Sequence, residues 1–220
     1  MANHKTLDDL FGQGPLTSKH VLVRADLNVP VNDAGDVSDA TRLERLLPTL
    51  KDLSAKGAKI GILSHFGRPK GERKPEMSLK PIAAALSDLL GAPVAFAEDC
   101  IGFAAGDALS ALSDGGVVVL ENTRFHIGEE KNDKEFAEAL AANAEIYVND
   151  AFSTAHRAHG STEGIAHLLP AFAGRAMEQE LDALGKALGE PERPVVAIVG
   201  GAKVSTKLDH FPNPHTYIQQ

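Results

Sequence analysis

Short, continuous apolar runs alternate along this chain with longer stretches in which apolar residues recur every three or four positions. The runs at 21–29, 59–64, 93–97, 117–121, 145–149 and 195–199 are rich in β-branched and aliphatic residues, and most do not alternate with polar ones. That pattern predicts strands covered on both faces, as in a parallel sheet. Between them, 39–56 carries Leu43, Leu46, Leu47, Leu50 and Leu53 at helical spacing and is followed by Gly57 as a stop signal. Pro48 sits inside that helix and is expected to bend it. Residues 79–90 end at Gly91 in the same way, and 133–143 and 175–188 read as helices. Segments 161–169 and 103–112 are expected to be helical on weaker patterns. The fold class is therefore α/β, a doubly wound, mainly parallel sheet with helices on both faces, Rossmann-like.

In such sheets ligands bind beyond the carboxyl ends of the strands, so the residues that follow each strand matter most. Asp26 and Asn28 follow the first run. His65, Gly67 and Arg68 follow the second. Asn122 and Arg124 follow 117–121, and Asp150, His156, Arg157 and His159 follow 145–149. Arg42 lies in the opening turn of the first crossover helix, where a cation opposes the helix dipole unless an anion is bound there. Guanidinium forks match phosphate and carboxylate oxygens. A ligand with two anionic ends and a hydroxyl between them would use this set.

Composition narrows the partners. Of 220 residues, 43% are hydrophobic and 24% charged, which is ordinary for a soluble domain, and the net charge of −8 disfavours nucleic acid and anionic membrane surfaces. One cysteine, Cys100, permits neither an internal disulfide nor a four-cysteine zinc site. No secretory leader or membrane span is visible, so a cytoplasmic location is expected.

Taken singly, each arginine reads as a surface residue, and Arg24, within the first strand run, is assigned to that class. Asp26 alone reads as a turn residue, and His126 and His167 as unremarkable. His156 and His159 lack a third ligand at metal-site spacing, so no metal is expected. The run from Gly200 to Lys207 (GGAKVSTK) offers a glycine pair and two lysines to a phosphate, though it is not a Walker A loop.

The assembled motifs resemble the phosphoglycerate kinase family: VLVRADLNVP at 21–30, Arg42 with LPTL at 47–50, SHFGRP at 64–69, LENTRF at 120–125, NDAFSTAHRAH at 149–159, GKAL at 185–188 and GGAKVS at 200–205. Seven motifs in order span about Leu7 to Asp209. The resemblance implies a two-domain enzyme, usually monomeric, that transfers a phosphoryl group between ATP and 3-phosphoglycerate to give ADP and 1,3-bisphosphoglycerate in glycolysis, with Mg2+ accompanying the nucleotide. It assigns Asp26, Leu27, Asn28, Arg42, His65, Phe66, Gly67, Arg68, Arg124 and Arg157 to the triose site. It gives Arg42, Lys203 and Lys207 catalytic roles, and Gly201, Lys203 and Lys207 nucleotide contacts. It implies a triose-binding domain at 1–173, an interdomain helix at 174–190, the start of a truncated nucleotide domain at 191–209 and a non-family tail at 210–220. The expectation is a chain that binds 3-phosphoglycerate but is catalytically deficient alone. The alternatives are a non-functional truncated or frameshifted product, or an anion-binding module without activity.

Overall fold

A computed structural model describes residues 4–32 and 36–188. The contacts divide the chain into Met1–Asp182 and Ala183–Gln220; of the second unit, the described residues 183–188 are helical. The predicted strand at 195–199 and the glycine–lysine run after it lie outside the described residues.

Six strands form one sheet: β1 (His20–Arg24), β2 (Lys59–Leu63), β3 (Val94–Ala97), β4 (Val117–Leu120), β5 (Ile146–Asn149) and β6 (Ala171–Ala173). All pairs are parallel, in the order β3-β4-β2-β1-β5-β6. The chain winds outward from β1 through β2 to the β3 edge, fills in β4, then crosses to the far side of β1. The reversal between β1 and β5 is the topological switch point, where an open α/β sheet leaves a crevice at its carboxyl edge.

The continuous apolar runs resolve into two interleaved sets. Val21, Val23, Ile60, Ile62, Val117, Val119 and Val148 face one way, against α1 (Leu7–Phe11), α2 (Thr41–Ala55) and α3 (Lys80–Leu90). Leu22, Leu63, Val118, Leu120 and Tyr147 face the other, against α4 (Gly102–Ser110) and, after the single turn of α5 (Ile127–Glu130), α6 (Lys134–Ala141). Leu43, Leu50 and Leu53 of α2 are completely buried, each contributing about 1.5–3 kcal/mol. Gly61 is required by this packing: a Cβ there would come within 2.9 Å of Leu22 and 3.0 Å of Leu109. The helix continues through Pro48. No described helix is long and apolar enough to cross a membrane.

Two elements differ from expectation. The first run leaves the sheet after Arg24 rather than continuing to residue 29. Beyond Ala25, whose amide still reaches Leu63 O, the Leu27 amide donates to the Ser64 hydroxyl and the Val29 amide to Leu27 O. Leu27 and Val29 are buried as loop residues, which explains their strand-like composition. Segment 161–169 is not one helix but a wide turn, Gly160–Gly164, followed by a 3-10 turn, Ile165–His167. The amides of Thr162, Glu163 and Gly164 all converge on His159 O, while Ser161 N is taken by the Glu129 carboxylate.

Candidate functional site

The carboxyl ends of β1, β2, β4 and β5 deliver the predicted residues to adjoining loops. After β1, the chain turns at Asp26, whose Oδ1 accepts from the Asn28 amide at 3.2 Å. Arg42, in the first turn of α2, reaches back with Nη1 at 3.0 Å and 2.9 Å from the Asp26 oxygens and 3.0 Å from Asn28 O. Ser153, after β5, donates to Asp26 Oδ2 at 2.6 Å. Asp26 thus ties the loop after β1 to α2, 16 positions on, and to the segment after β5, 127 positions on.

The β2 loop is tied to the same point. Gly67 donates its amide to Asn28 Oδ1 at 2.9 Å, and its carbonyl accepts from Arg124 Nη1 at 2.9 Å. Gly67 holds φ +63°, where a Cβ would also press on Met77 Sδ at 3.0 Å. Asn122, fully buried at the end of β4, holds the frame: it accepts from Phe66 N and Arg124 N and donates to Phe66 O and Met77 O.

The cations cluster. Arg124 is buried, with Nε 3.2 Å from Glu130 Oε1. Burial lowers its hold on the proton, Glu130 opposes that, and repulsion from Arg157 adds to it. His65 is 6% exposed, and its imidazole is pushed down to about 2, first by burial, then by Arg24, Arg124, Arg157 and His159. His159 is lowered by burial too, opposed by Glu129 at 4.0 Å. Arg157 is half-buried and Arg68 exposed on the loop after β2. Among the described residues three carboxylates, Asp26, Glu129 and Glu130, face the five arginines Arg24, Arg42, Arg68, Arg124 and Arg157, so the cluster keeps an excess of positive charge that suits a multivalent anion. Beside Asp26 and Arg42 lies a hollow of about 230 Å³ that also meets Arg45, Asp150 and Ser153.

A family sequence model for phosphoglycerate kinase matches residues 10–214. The chain belongs to the phosphoglycerate kinase family. It is 61% identical over 213 residues to the phosphoglycerate kinase of Methylorubrum extorquens (strain PA1), covering 97% of this chain and 52% of that protein. It is 64% identical over 209 residues to that of Rhizobium meliloti (strain 1021), covering 95% and 51%. Among solved structures, phosphoglycerate kinase from Coxiella burnetii superposes with TM-score 0.79 at 40% identity, covering 90% of this chain and 49% of that one. The enzyme from Pyrococcus horikoshii OT3 gives 0.79 at 34% identity, covering 90% and 50%. The chain therefore spans about half the length of the phosphoglycerate kinases it matches.

Set against the family motifs, the structure brings Asp26, Asn28, Arg42, Gly67 and Arg124 into one hydrogen-bonded frame, with His65 and Arg157 in electrostatic contact with Arg124. The Leu27 side chain is completely buried and Phe66 packs on the core; the Phe66 amide and carbonyl are taken by Asn122, and those of Leu27 by the Ser64 hydroxyl and the Val29 amide. Gly201, Lys203 and Lys207 lie outside the described residues. Arg24 is corrected: it is not a surface residue but 1% exposed, bonded through Nε to Ser161 Oγ at 2.9 Å, through Nη1 to Ala25 O, and through Nη2 to His65 Nδ1 at 2.9 Å. The available signal was a charged residue inside an otherwise apolar run, which demands a buried partner. Glu129, completely buried against Ser161, went unnoticed because nothing in its local pattern marks it. His126, expected to be unremarkable, bonds Asp99 Oδ1 at 2.7 Å beside the buried Cys100.

Proposed function

We propose that this chain provides the triose-phosphate half of a phosphoglycerate kinase, the enzyme that interconverts ATP plus 3-phosphoglycerate with ADP plus 1,3-bisphosphoglycerate. The observation that carries this reading is the convergence of Asp26–Arg42, His65, Arg124 and Arg157 from four separate strand ends onto one edge of the sheet.

In this reading Asp26 and Asn28 meet the substrate hydroxyl, which needs both a donor and an acceptor. Arg68, Arg124, Arg157 and His65 take the phosphate, whose oxygens match guanidinium forks. Arg42 lies nearest the carboxylate. In the forward reaction that carboxylate attacks the γ-phosphorus of ATP in line, and ADP leaves. Arg42 offsets the negative charge of the transferring phosphoryl, with Lys203 as its partner. Mg2+ enters with the nucleotide and would screen its phosphates. The residues proposed for that end, Gly201, Lys203 and Lys207, lie beyond the described part, so the chemistry assigned to described residues is confined to holding and orienting the triose. A cytoplasmic setting and monomeric state go with the family.

By itself the 220-residue chain binds 3-phosphoglycerate and does not turn over. Positioning of ATP supplies much of the rate, and the chain matches only about half of its relatives' length. Calorimetric titration tests the reading. Heat is expected with 3-phosphoglycerate, and binding weaker by tenfold or more, roughly the worth of a lost charge-assisted contact, with glycerate or glycerol 3-phosphate. No heat at millimolar ligand contradicts it. A coupled ATP assay is expected to show no turnover.

A further inference from the structure

The floor of the arginine cluster holds an arrangement that the binding roles leave unexplained. Arg24 ends β1 and is buried, with its Nη2 2.9 Å from His65 Nδ1 and its Nε 2.9 Å from Ser161 Oγ. Ser161 in turn donates its hydroxyl to Glu129 Oε1 at 2.6 Å and its amide to Oε2 at 2.8 Å. Tyr147 pins the Ser161 carbonyl at 2.9 Å. Arg24 therefore has almost no freedom to move away from the imidazole.

A guanidinium has five donors and no acceptor, so the contact with His65 runs one way: Nδ1 must accept. A neutral ring that accepts at Nδ1 carries its one proton on Nε2. Nε2 has no hydrogen-bond partner among the described residues, and it is not among the partnerless polar atoms sealed from solvent. It is a free donor on a ring that feels the charges of Arg124 and Arg157. The opposite tautomer would present a lone pair to a phosphate oxygen, which repels it.

We propose that Arg24, held by Ser161 and Glu129, is a positioning residue that fixes His65 in the Nε2–H tautomer, so that the ring meets an anionic ligand as a hydrogen-bond donor. The identity of the ligand rests on the triose-site reading; the tautomer does not. The groups facing His65 are Arg24 from β1, Arg124 from the turn after β4, and Arg157 and His159 from the segment after β5. Glu129 acts on Arg24, Arg124 and His159. A second proton on His65 is opposed first by burial and then by these cations, so the ring keeps its donor role across the physiological range.

The test is two-bond 1H–15N correlation of histidine rings in the labelled, ligand-free 220-residue chain. His65 is expected to show an unprotonated Nδ1 and a protonated Nε2, unchanged from about pH 8 to about pH 5, a window in which an ordinary histidine titrates. An Nδ1–H tautomer, or titration near the ordinary imidazole value, overturns the proposal. That reading needs no variant, so it decides the matter even if Arg24→Met does not fold. In folded Arg24→Met the ring is expected to exchange between tautomers, with 3-phosphoglycerate affinity falling roughly tenfold, as for one charge-assisted contact. Arg24→Lys, which keeps an N–H donor, is expected to recover part of both. An unchanged spectrum in Arg24→Met also overturns it. The expected tautomer with no binding of 3-phosphoglycerate would leave the positioning role standing and remove the triose reading.

Discussion

Arg42 Nη1 lies 3.0 Å and 2.9 Å from the two carboxylate oxygens of Asp26, bracing the first turn of α2 against the loop that leaves β1. The Arg42 side chain is 49% exposed and Asp26 15%, so water competes for both charges. Such a pair is worth about 1 kcal/mol or less. A ligand carrying its own carboxylate can take over the guanidinium at little cost, leaving Asp26 free to accept from a hydroxyl.

Arg42→Ala is accordingly expected to change unfolding free energy by no more than about 1 kcal/mol, while weakening 3-phosphoglycerate binding by roughly tenfold or more. Denaturant titration and calorimetry on the same preparation measure both. A large stability loss with unchanged affinity would assign Arg42 to the scaffold.

Asp150 fastens the start of α7 (Arg175–Leu188): its Oδ1 accepts from the amides of Ala176 at 2.8 Å and Met177 at 3.0 Å. The carboxylate fits there only because residue 174 has no side chain, since a Cβ on Gly174 would collide with Asp150 Oδ1. Gly174→Ala is expected to destabilise the chain by about 1–3 kcal/mol through overpacking. Thermal unfolding checks this, and an unchanged midpoint would show that the α7 start can shift at no cost.

Glu129 is the carboxylate that acts most strongly on the buried Arg24, and it reaches it through Ser161. Glu129→Gln keeps the shape and removes the charge. It is expected to cost about 3–5 kcal/mol, as when a buried charge loses its counter-ion, and combining it with Arg24→Met should cost less than the sum of the two changes. Strict additivity would show that the two do not interact.

Cys100 is 1% exposed, and burial, with Asp99 and Glu129 nearby, pushes its thiol well above the usual range. The native chain is expected to react with Ellman's reagent orders of magnitude more slowly than the chain in guanidinium, because only the thiolate attacks. Rapid native labelling would place the thiol at the surface.

Much of this was readable from residue order. The strand ends were marked by the change from Val, Ile and Leu to Asp26, His65, Arg124 and Arg157, and topology sends strand ends of a parallel sheet to one edge. Helix α2 was marked by leucines at helical spacing, of which Leu43, Leu46, Leu50 and Leu53 are buried and Leu47 is half-buried. β6 and α1, three and five residues long, carry too few positions for a period to show. Leu27 and Val29 misled because burial, not pairing, selects apolar residues, and here a loop is buried. Arg24 misled because a charge is expected outside unless its partners are known. Those partners, His65, Ser161 and Glu129, lie 41, 137 and 105 positions away and are joined to it only by folding.

The claim beneath all of this is that guanidinium groups from distant segments act on one ligand. Arginine side-chain 1H–15N spectra of the labelled chain, recorded while 3-phosphoglycerate is added, address it most directly. Signals of Arg42, Arg68, Arg124 and Arg157 are expected to shift together along one saturation curve, with Arg45, Arg73 and Arg175 unmoved. Shifts confined to one of the four, or spread equally over all the arginines, would contradict the account.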